Sequence, residues 1–325
     1  MAIKSYKGFD KNLRCRDFQY EIGGIYEMDG KIKMCNRGFH ACESPFDVFD
    51  YYTMIDSRFC EVEQDGNISK EDRGTKICSS KIKIKAELKL ADMINLGVEW
   101  LKEITSPEKI KTSIKDNSSG NNAQIGSSGD GAKIGSSGYG AQIGSSGDGA
   151  QIGSSGYDAR IGSSGNNAKI GSSGDGAQIG SSGYDARIGS SGNNAKIGSF
   201  GDGAQIGSSG YGAKIGSSGY DAQIGSSGDG AQIGSSGYGA KISSSGYGAK
   251  IDSTGEDCVI MCAGINSVAK ASKGSWVTLS EWSYSEEKQR YIPICVKTEF
   301  VDGEKIKADT YYSLKGGVFV EWIND

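Results

Sequence analysis

Proline and histidine are nearly missing from this chain: its 325 residues include three prolines and one histidine, His40. The prolines (Pro45, Pro107, Pro293) all avoid the stretch from 117 to 275, so nothing there interrupts a ladder of backbone hydrogen bonds. A single histidine confines imidazole chemistry to one place. No apolar run approaches the roughly 18 residues of a membrane span, and MAIKSYKGFDKNLRC lacks the apolar core of a signal peptide. A soluble, cytoplasmic protein with no membrane partner is expected. An excess of one charge is also lacking. Residues 1–116 carry 20 basic and 20 acidic side chains and residues 123–251 carry 8 of each, so the net charge of −4 arises after the middle segment. Capture of nucleic-acid phosphates needs clustered Lys and Arg, so no nucleic-acid partner is expected. The eight cysteines (15, 35, 42, 60, 78, 258, 262, 295) avoid the central segment and are expected as free thiols of a reducing compartment.

What is abundant is glycine, 51 residues concentrated in the middle. Alanine recurs at every ninth position from Ala123 to Ala249, each time followed two places later by isoleucine, which makes 15 units of A-[QKR]-I-G-S-S-G-x-x. Asn117 to Gly120 leads into the series, and Cys258-Val259-Ile260, Ser267-Val268-Ala269 and Trp276-Val277-Thr278 keep its phase on the way out. A flexible Gly/Ser linker has no reason to place Ile at every ninth position. In A-x-I two apolar side chains face one way and Gln, Lys or Arg faces the other, the period of a strand, and G-S-S-G turns the chain. The pattern predicts a parallel β-solenoid or β-roll with like positions stacked about 4.8 Å apart. One short strand cannot close a coil, so two units per coil are expected, giving seven to eight coils. The block GDGAQIGSSGYDARIGSSGNNAKIGSS, from Gly147 to Ser173, recurs from Gly174 with Phe200 in place of its last serine. The repeat distance is three units, an odd number. The two sides of each coil must then be nearly equivalent.

The flanks read as ordinary globular sequence, giving a mainly β chain. Its expected parts are an N-terminal α+β capping domain (1–116), the repeat solenoid (117–275) and a C-terminal β-meander cap (276–325). Phe18 to Cys35 reads as a hairpin turning at Asp29-Gly30. Ser44-Pro45 looks like a helix start leading into DVFDYYTMI, and Arg58–Gln64 and Ile77–Leu88 alternate as strands. Leu90–Ile104 reads as an amphipathic helix with Leu90, Ile94, Trp100, Leu101 and Ile104 near one face. After the repeats, WVTLSEW, RYIPICVKTEFV, KIKADTYYSL and VFVEW read as strands, with Trp276 and Trp282 placed to cover the last coil.

One constellation has the residue types of a reactive site, C-N-R-G-F-H-A-C from Cys35 to Cys42. Cys35, His40 and Cys42, with Cys15 or Cys60, can supply four ligands to zinc, although C-x4-H-x-C is not a paired-knuckle spacing. A thiol nucleophile paired with His40 lacks a visible orienting Asp or Asn. A half-buried histidine beside packed cysteines is the plain alternative, and no cofactor is expected. In the repeats, a calcium-binding nonapeptide roll needs Asp two places before the large apolar residue, where Ala always stands here. The eight Asp sit in the x-x turn instead. Flat hydroxyl rows raise ice binding as a further option, which the outward Lys and Arg oppose. Tyr139, Tyr157, Tyr184, Tyr211, Tyr220, Tyr238 and Tyr247 occupy the first turn position. With Arg160 and Arg187 they are the candidate interaction surface, since Tyr on a rigid scaffold suits recognition; ordinary turn chemistry is the alternative.

The pieces YKGFDKNLRCRDFQYEIG, NRGFHACESPFDVFDYY, SRFCEVEQ and VDGEKIKADTYYSLKGGVFVEW resemble an uncharacterised family of phage and prophage proteins. In that family a GFHAC-type N-terminal domain accompanies Gly/Ser nonapeptide repeats. The resemblance implies a mobile-element origin and an intracellular setting, and brings no catalytic residue with it. The expectation is a non-catalytic protein presenting a rigid repetitive surface to a protein partner or to itself. The alternative is an inhibitor or sequestering protein that acts through the N-terminal domain.

Overall fold

The computed structural model describes residues 2–54, 57–71, 74–104, 117–118 and 120–323. They fall into two compact units, Met1–Trp100 and Leu101–Asp325.

The first unit contains β1 (Ile3–Phe9), β2 (Arg14–Cys15), β3 (Phe18–Gln19), β4 (Ile25–Glu27), β5 (Phe39–Cys42), a 3-10 turn (Phe46–Asp50), β6 (Arg58–Lys70) and β7 (Lys76–Leu88). Helix α1 follows (Leu90–Ile104). The antiparallel pairings β7 to β5, β5 to β1, β1 to β6 and β6 to β7 close on themselves, and β4 follows β5 along the edge of β7 opposite β6. Alternation drives this: Cys60 and Val62 on β6 and Ile82 and Ile84 on β7 are fully buried, and with Phe9, Phe39 and Ala41 they form one core. Gln64 also points inward, donating through Nε2 to the carbonyls of Phe39 (2.9 Å) and Ile77 (3.2 Å) and to Ser79 Oγ (3.1 Å).

Three local expectations change. The hairpin from Phe18 to Cys35 does not form; β3 pairs with β2, while β4 pairs with β7, whose long ladder offers Ile25–Glu27 more backbone partners than Lys31–Cys35 does. The helix after Ser44 stops at Asp50 as a 3-10 turn, although the Ser44 hydroxyl still accepts the Asp47 N–H at 3.4 Å. Phe46, Val48 and Phe49 all bury there, which one face of an α-helix cannot arrange. Helix α1 spans the expected residues, but its buried face is Met93, Ile94, Val98 and Leu101, with Trp100 only half-buried.

In the second unit a strand recurs with every repeat from β9 (Gln124–Ser127) to β25 (Val268–Ala271), preceded by β8 (Asn117–Ser118). Each strand pairs in parallel with the next but one, Ile on Ile and Ser on Ser, as in Ile170 on Ile188 and Ser172 on Ser190. Two units therefore make one coil. The degenerate copies continue the winding, so about nine coils stand where the 15 perfect units alone predict seven to eight. Even-numbered strands build sheet I and odd-numbered strands build sheet II, each with 11 strands once the C-terminal strands are included. Ala and Ile point inward, buried to 5 % exposure or less from Ala141 to Ile251, and the first Ser of each G-S-S-G joins them.

Beyond the last coil, β26 (Trp276–Ser285) extends sheet I in parallel and then pairs antiparallel with β27 (Arg290–Phe300). β28 (Tyr312–Lys315) joins sheet II antiparallel to β25 and pairs with β29 (Val318–Glu321). Lys305–Ala308 is not a strand, but Ile306 is buried. Val277, Leu279, Val301, Ile306, Tyr312 and Leu314 continue the solenoid's apolar core. Trp276 does not cover that end: it faces outward, 49 % exposed, against Phe300 with ring centroids 5.1 Å apart. Trp282 is half-buried and donates from its indole to Ala263 O (3.1 Å) and Ser280 Oγ (2.8 Å). Strand alternation decides this, because Val277 and Leu279 take the inward places on either side of Thr278.

Candidate functional surfaces

Each repeat uses glycine in three ways, and only two serve the coil. At the corner after the serines, a Cβ on Gly192 would collide with the Gly174 carbonyl of the coil below, so consecutive coils stack only if this position is bare. At the second turn position the backbone is left-handed, φ 52 to 70° in Gly176, Asp158 and Asn167, which glycine, Asp and Asn tolerate. The third glycine sits within the strand and faces outward. On sheet I, Gly153, Gly171, Gly189 and Gly207 are exposed, have ordinary φ, and leave open space where a Cβ would stand. Glycine there weakens a strand without any steric requirement from the coil itself.

The two sheets differ in exposure. On sheet I the outward Gln151, Lys169, Arg187, Gln205, Gln223 and Lys241 are exposed. On sheet II Gln178 and Lys196 are 7 % and 5 % exposed, and Gly144, Gly162, Gly180, Gly198, Gly216 and Gly234 are buried. The sequence expectation of equivalent sides therefore holds for the ladder and fails for solvent exposure.

All seven candidate tyrosines are exposed, from 44 % at Tyr139 to 64 % at Tyr211. The pairing of alternate units divides them between two edges: Tyr139, Tyr157, Tyr211 and Tyr247 lie on one, Tyr184, Tyr220 and Tyr238 on the other. Tyr220 and Tyr238 meet edge to face at 6.4 Å. Arg187 lies on sheet I and Arg160 on sheet II, because the three units between them make one and a half coils. No single face gathers all nine residues. The Asp and Asn that share the tyrosines' position serve the stack instead: Asp148 Oδ1 accepts the Asn166 N–H (2.7 Å), and Asn166 Oδ1 accepts the Tyr184 N–H (3.0 Å). This side-chain ladder was missed in the sequence, although the recurrence of Asp and Asn in alternate units was its signal.

The cysteine and histidine cluster lies in the first unit. β5 places His40 and Cys42 on one side, opposite Cys78 and Lys76 of β7. His40 is half-buried, and its Nε2 accepts the Cys35 backbone N–H at 2.9 Å, which engages that nitrogen. Burial, then the charges of Lys7 and Lys76, hold the imidazole below the usual histidine range. Cys35 is exposed, with Lys76 Nζ 3.5 Å from its sulfur, and Cys42 is buried. Among the described residues no three His, Cys, Asp or Glu side chains converge as a metal set. Cys60 lies in the core, where burial pushes its thiol up to about 12. No helix among the described residues is long and apolar enough to cross a membrane.

Residues 3–96 match a domain of unknown function (DUF7666). The matched stretch contains Gly38–Cys42, the GFHAC segment, and all the strands of the first unit. No curated protein and no solved structure matches the chain.

Proposed function

We propose that the chain is a non-catalytic binding protein whose solenoid presents the outward face of sheet I, with its flanking turns, to a macromolecular partner. The open glycine row on sheet I carries this reading. A row of bare backbone flanked by Gln, Lys and Arg allows close approach of another chain, at a cost in strand stability that the coil does not require. Units repeated word for word also suit a surface better than a unique catalytic site. In this proposal residues 276–325 close one end of the stack, the partner is a protein or a second copy, and the setting is the cytoplasm of a phage-carrying cell. The sequence resemblance supports that setting.

The test is a variant with Gly171, Gly189 and Gly207 each changed to Thr. Its thermal midpoint is expected to stay level or rise, while capture of a host protein by the tagged chain, or self-association seen by sedimentation, is lost. Equal capture and equal self-association by wild type and variant would overturn the proposal.

A further inference from the structure

The first unit holds a cavity of about 970 Å³ bounded by β1, the β2 and β3 hairpin, β4, β5 and the chain around Tyr51 and Tyr52. Lys7 lies in its wall. On β1 it shares the core side with Ser5 and Phe9, two places before and after it, and it is only 5 % exposed. Its Nζ donates to the His40 carbonyl at 3.0 Å and lies 3.5 Å from Cys15 Sγ, with the Phe9 and Tyr20 rings at 5.3 and 5.7 Å. No carboxylate among the described residues pairs with it. An ammonium withdrawn from water without a counter-charge is strongly disfavoured. Two acceptors also leave one of its three donors unused. Burial holds the amine below the usual lysine range, against the opposing influence of Cys15 and Cys42.

The surroundings repeat the same bias. Tyr52 packs its ring on Gly8, where a Cβ would collide with it, and donates its hydroxyl to Cys15 Sγ at 3.0 Å. Arg16 and Lys76 add positive charge; Arg16 has no ion pair among the described residues, and Lys76 lies 4.0 Å over the Tyr51 ring. Of the two acidic lining residues, Glu27 is paired with Lys81 at 3.2 Å, which leaves Asp17. One wall is aromatic: Phe18, Tyr20 and Tyr26 meet edge to face with centroids 4.8 to 5.4 Å apart, and Phe18 is 47 % exposed.

We propose that this cavity binds a small molecule carrying an anionic group on a flat ring, the anion pairing with Lys7 and the ring lying against Phe18, Tyr20 and Tyr26. The anion supplies the counter-charge that Lys7 lacks, and the ring finds faces and edges suited to stacking. A phosphate ester and an aryl carboxylate share this chemistry, and the two arms of the test separate them.

The full chain is titrated by calorimetry with adenosine monophosphate and with benzoate, beside adenosine and inorganic phosphate as the separated halves. One ring-bearing anion is expected to bind with Kd below about 1 mM, and both halves more weakly. Lys7→Met, which keeps the apolar stem and removes the charge, is expected to weaken that binding at least about tenfold. Failure of both anions to bind, adenosine binding as tightly as its monophosphate, or full affinity in Lys7→Met would each overturn the proposal. A readout on the unaltered chain does not depend on the variant folding. Saturating ligand is expected to slow N-ethylmaleimide alkylation of Cys15 at least about threefold while leaving Cys295 unchanged. Unchanged alkylation of Cys15 at saturation would overturn the proposal as well.

Discussion

In the solenoid the strand Ile, Gly and Ser of one coil meet their own kind one coil above and one below, and the core is a thin file of Ala, Ile and Ser. In Met1–Trp100 no contact repeats, and the largest fully buried side chains include Phe9, Phe46, Phe49 and Phe59. The solenoid spreads its free energy evenly over ladders and depends on backbone clearance at the corners. The first unit concentrates its free energy in a few aromatic side chains. Volume matters most in one and bare backbone in the other, so the same kind of substitution should have different consequences in each.

The largest effect is expected at a solenoid corner. Gly192→Val drives a side chain into the Gly174 carbonyl and should cost at least about 4 kcal/mol, read as loss of the cooperative urea transition. Gly189→Thr, shortly before it on the open face of sheet I, should leave that transition in place or move it upward. Equal damage from both would show that the corner has no special role.

Next comes phase. Deleting Asn166 to Gly183 takes out one coil and should keep a single cooperative transition. Deleting Asn166 to Gly192 takes out one and a half coils and moves every later strand to the other sheet relative to the coils before the deletion, so side chains suited to the exposed sheet and to the closed sheet change places. Its urea midpoint should be lower than that of the one-coil deletion, and the reverse order would refute a two-unit coil.

Core truncation compares the two units directly. Phe59→Ala, which removes the ring stacked edge to face on Phe49 at 5.3 Å, should cost about 3 to 5 kcal/mol, against about 2 to 4 for Ile188→Ala. Calorimetric scans of both variants would measure the difference.

Smaller still is Ser190→Ala. Among the described residues the buried hydroxyls of this row from Ser154 to Ser244, Ser190 included, have no hydrogen-bond partner, so the change should be neutral or stabilising by up to about 1 kcal/mol, measured as a shift in thermal midpoint. A clear loss of stability would mean that the hydroxyls hold the coils together.

The smallest effect is a pH response of the first unit. His40 is held below its unfolded value of 6.5, so the unfolded chain binds the proton more readily. The contribution to stability is present above pH 6.5 and is lost as pH falls through the lower folded value. The melting midpoint should therefore drop in mild acid more in wild type than in His40→Gln.

The repeat made the second unit legible. Ala and Ile at every ninth position announced inward rows, and the odd number of units in the duplicated block placed Arg160 and Arg187 on opposite sheets. Periodicity says nothing about which of two equivalent faces is closed to solvent, so the burial of Gln178 and Lys196 could not be read from it. In the first unit, Leu90–Ile104 and the alternation around Ile82 and Ile84 were readable because their patterns run for several turns or pairs. Lys7 was not, because a lysine within S-Y-K-G-F reads as a solvent-facing residue and only the closed cycle of strands turns it inward. Cys35 and His40 are adjacent as the spacing suggested, but they meet through a backbone N–H rather than a thiol.

The last coil has a consequence for growth. A parallel stack of like coils is a fibre in miniature, each rung a template for the next. At the C-terminal end β27, the outermost strand of sheet I, runs against the direction of the rungs, so an incoming parallel rung from another molecule meets a strand of the wrong polarity on that sheet. The chain thus sets its own length at that end, and removing everything after Ser285 would turn a finite object into a seed.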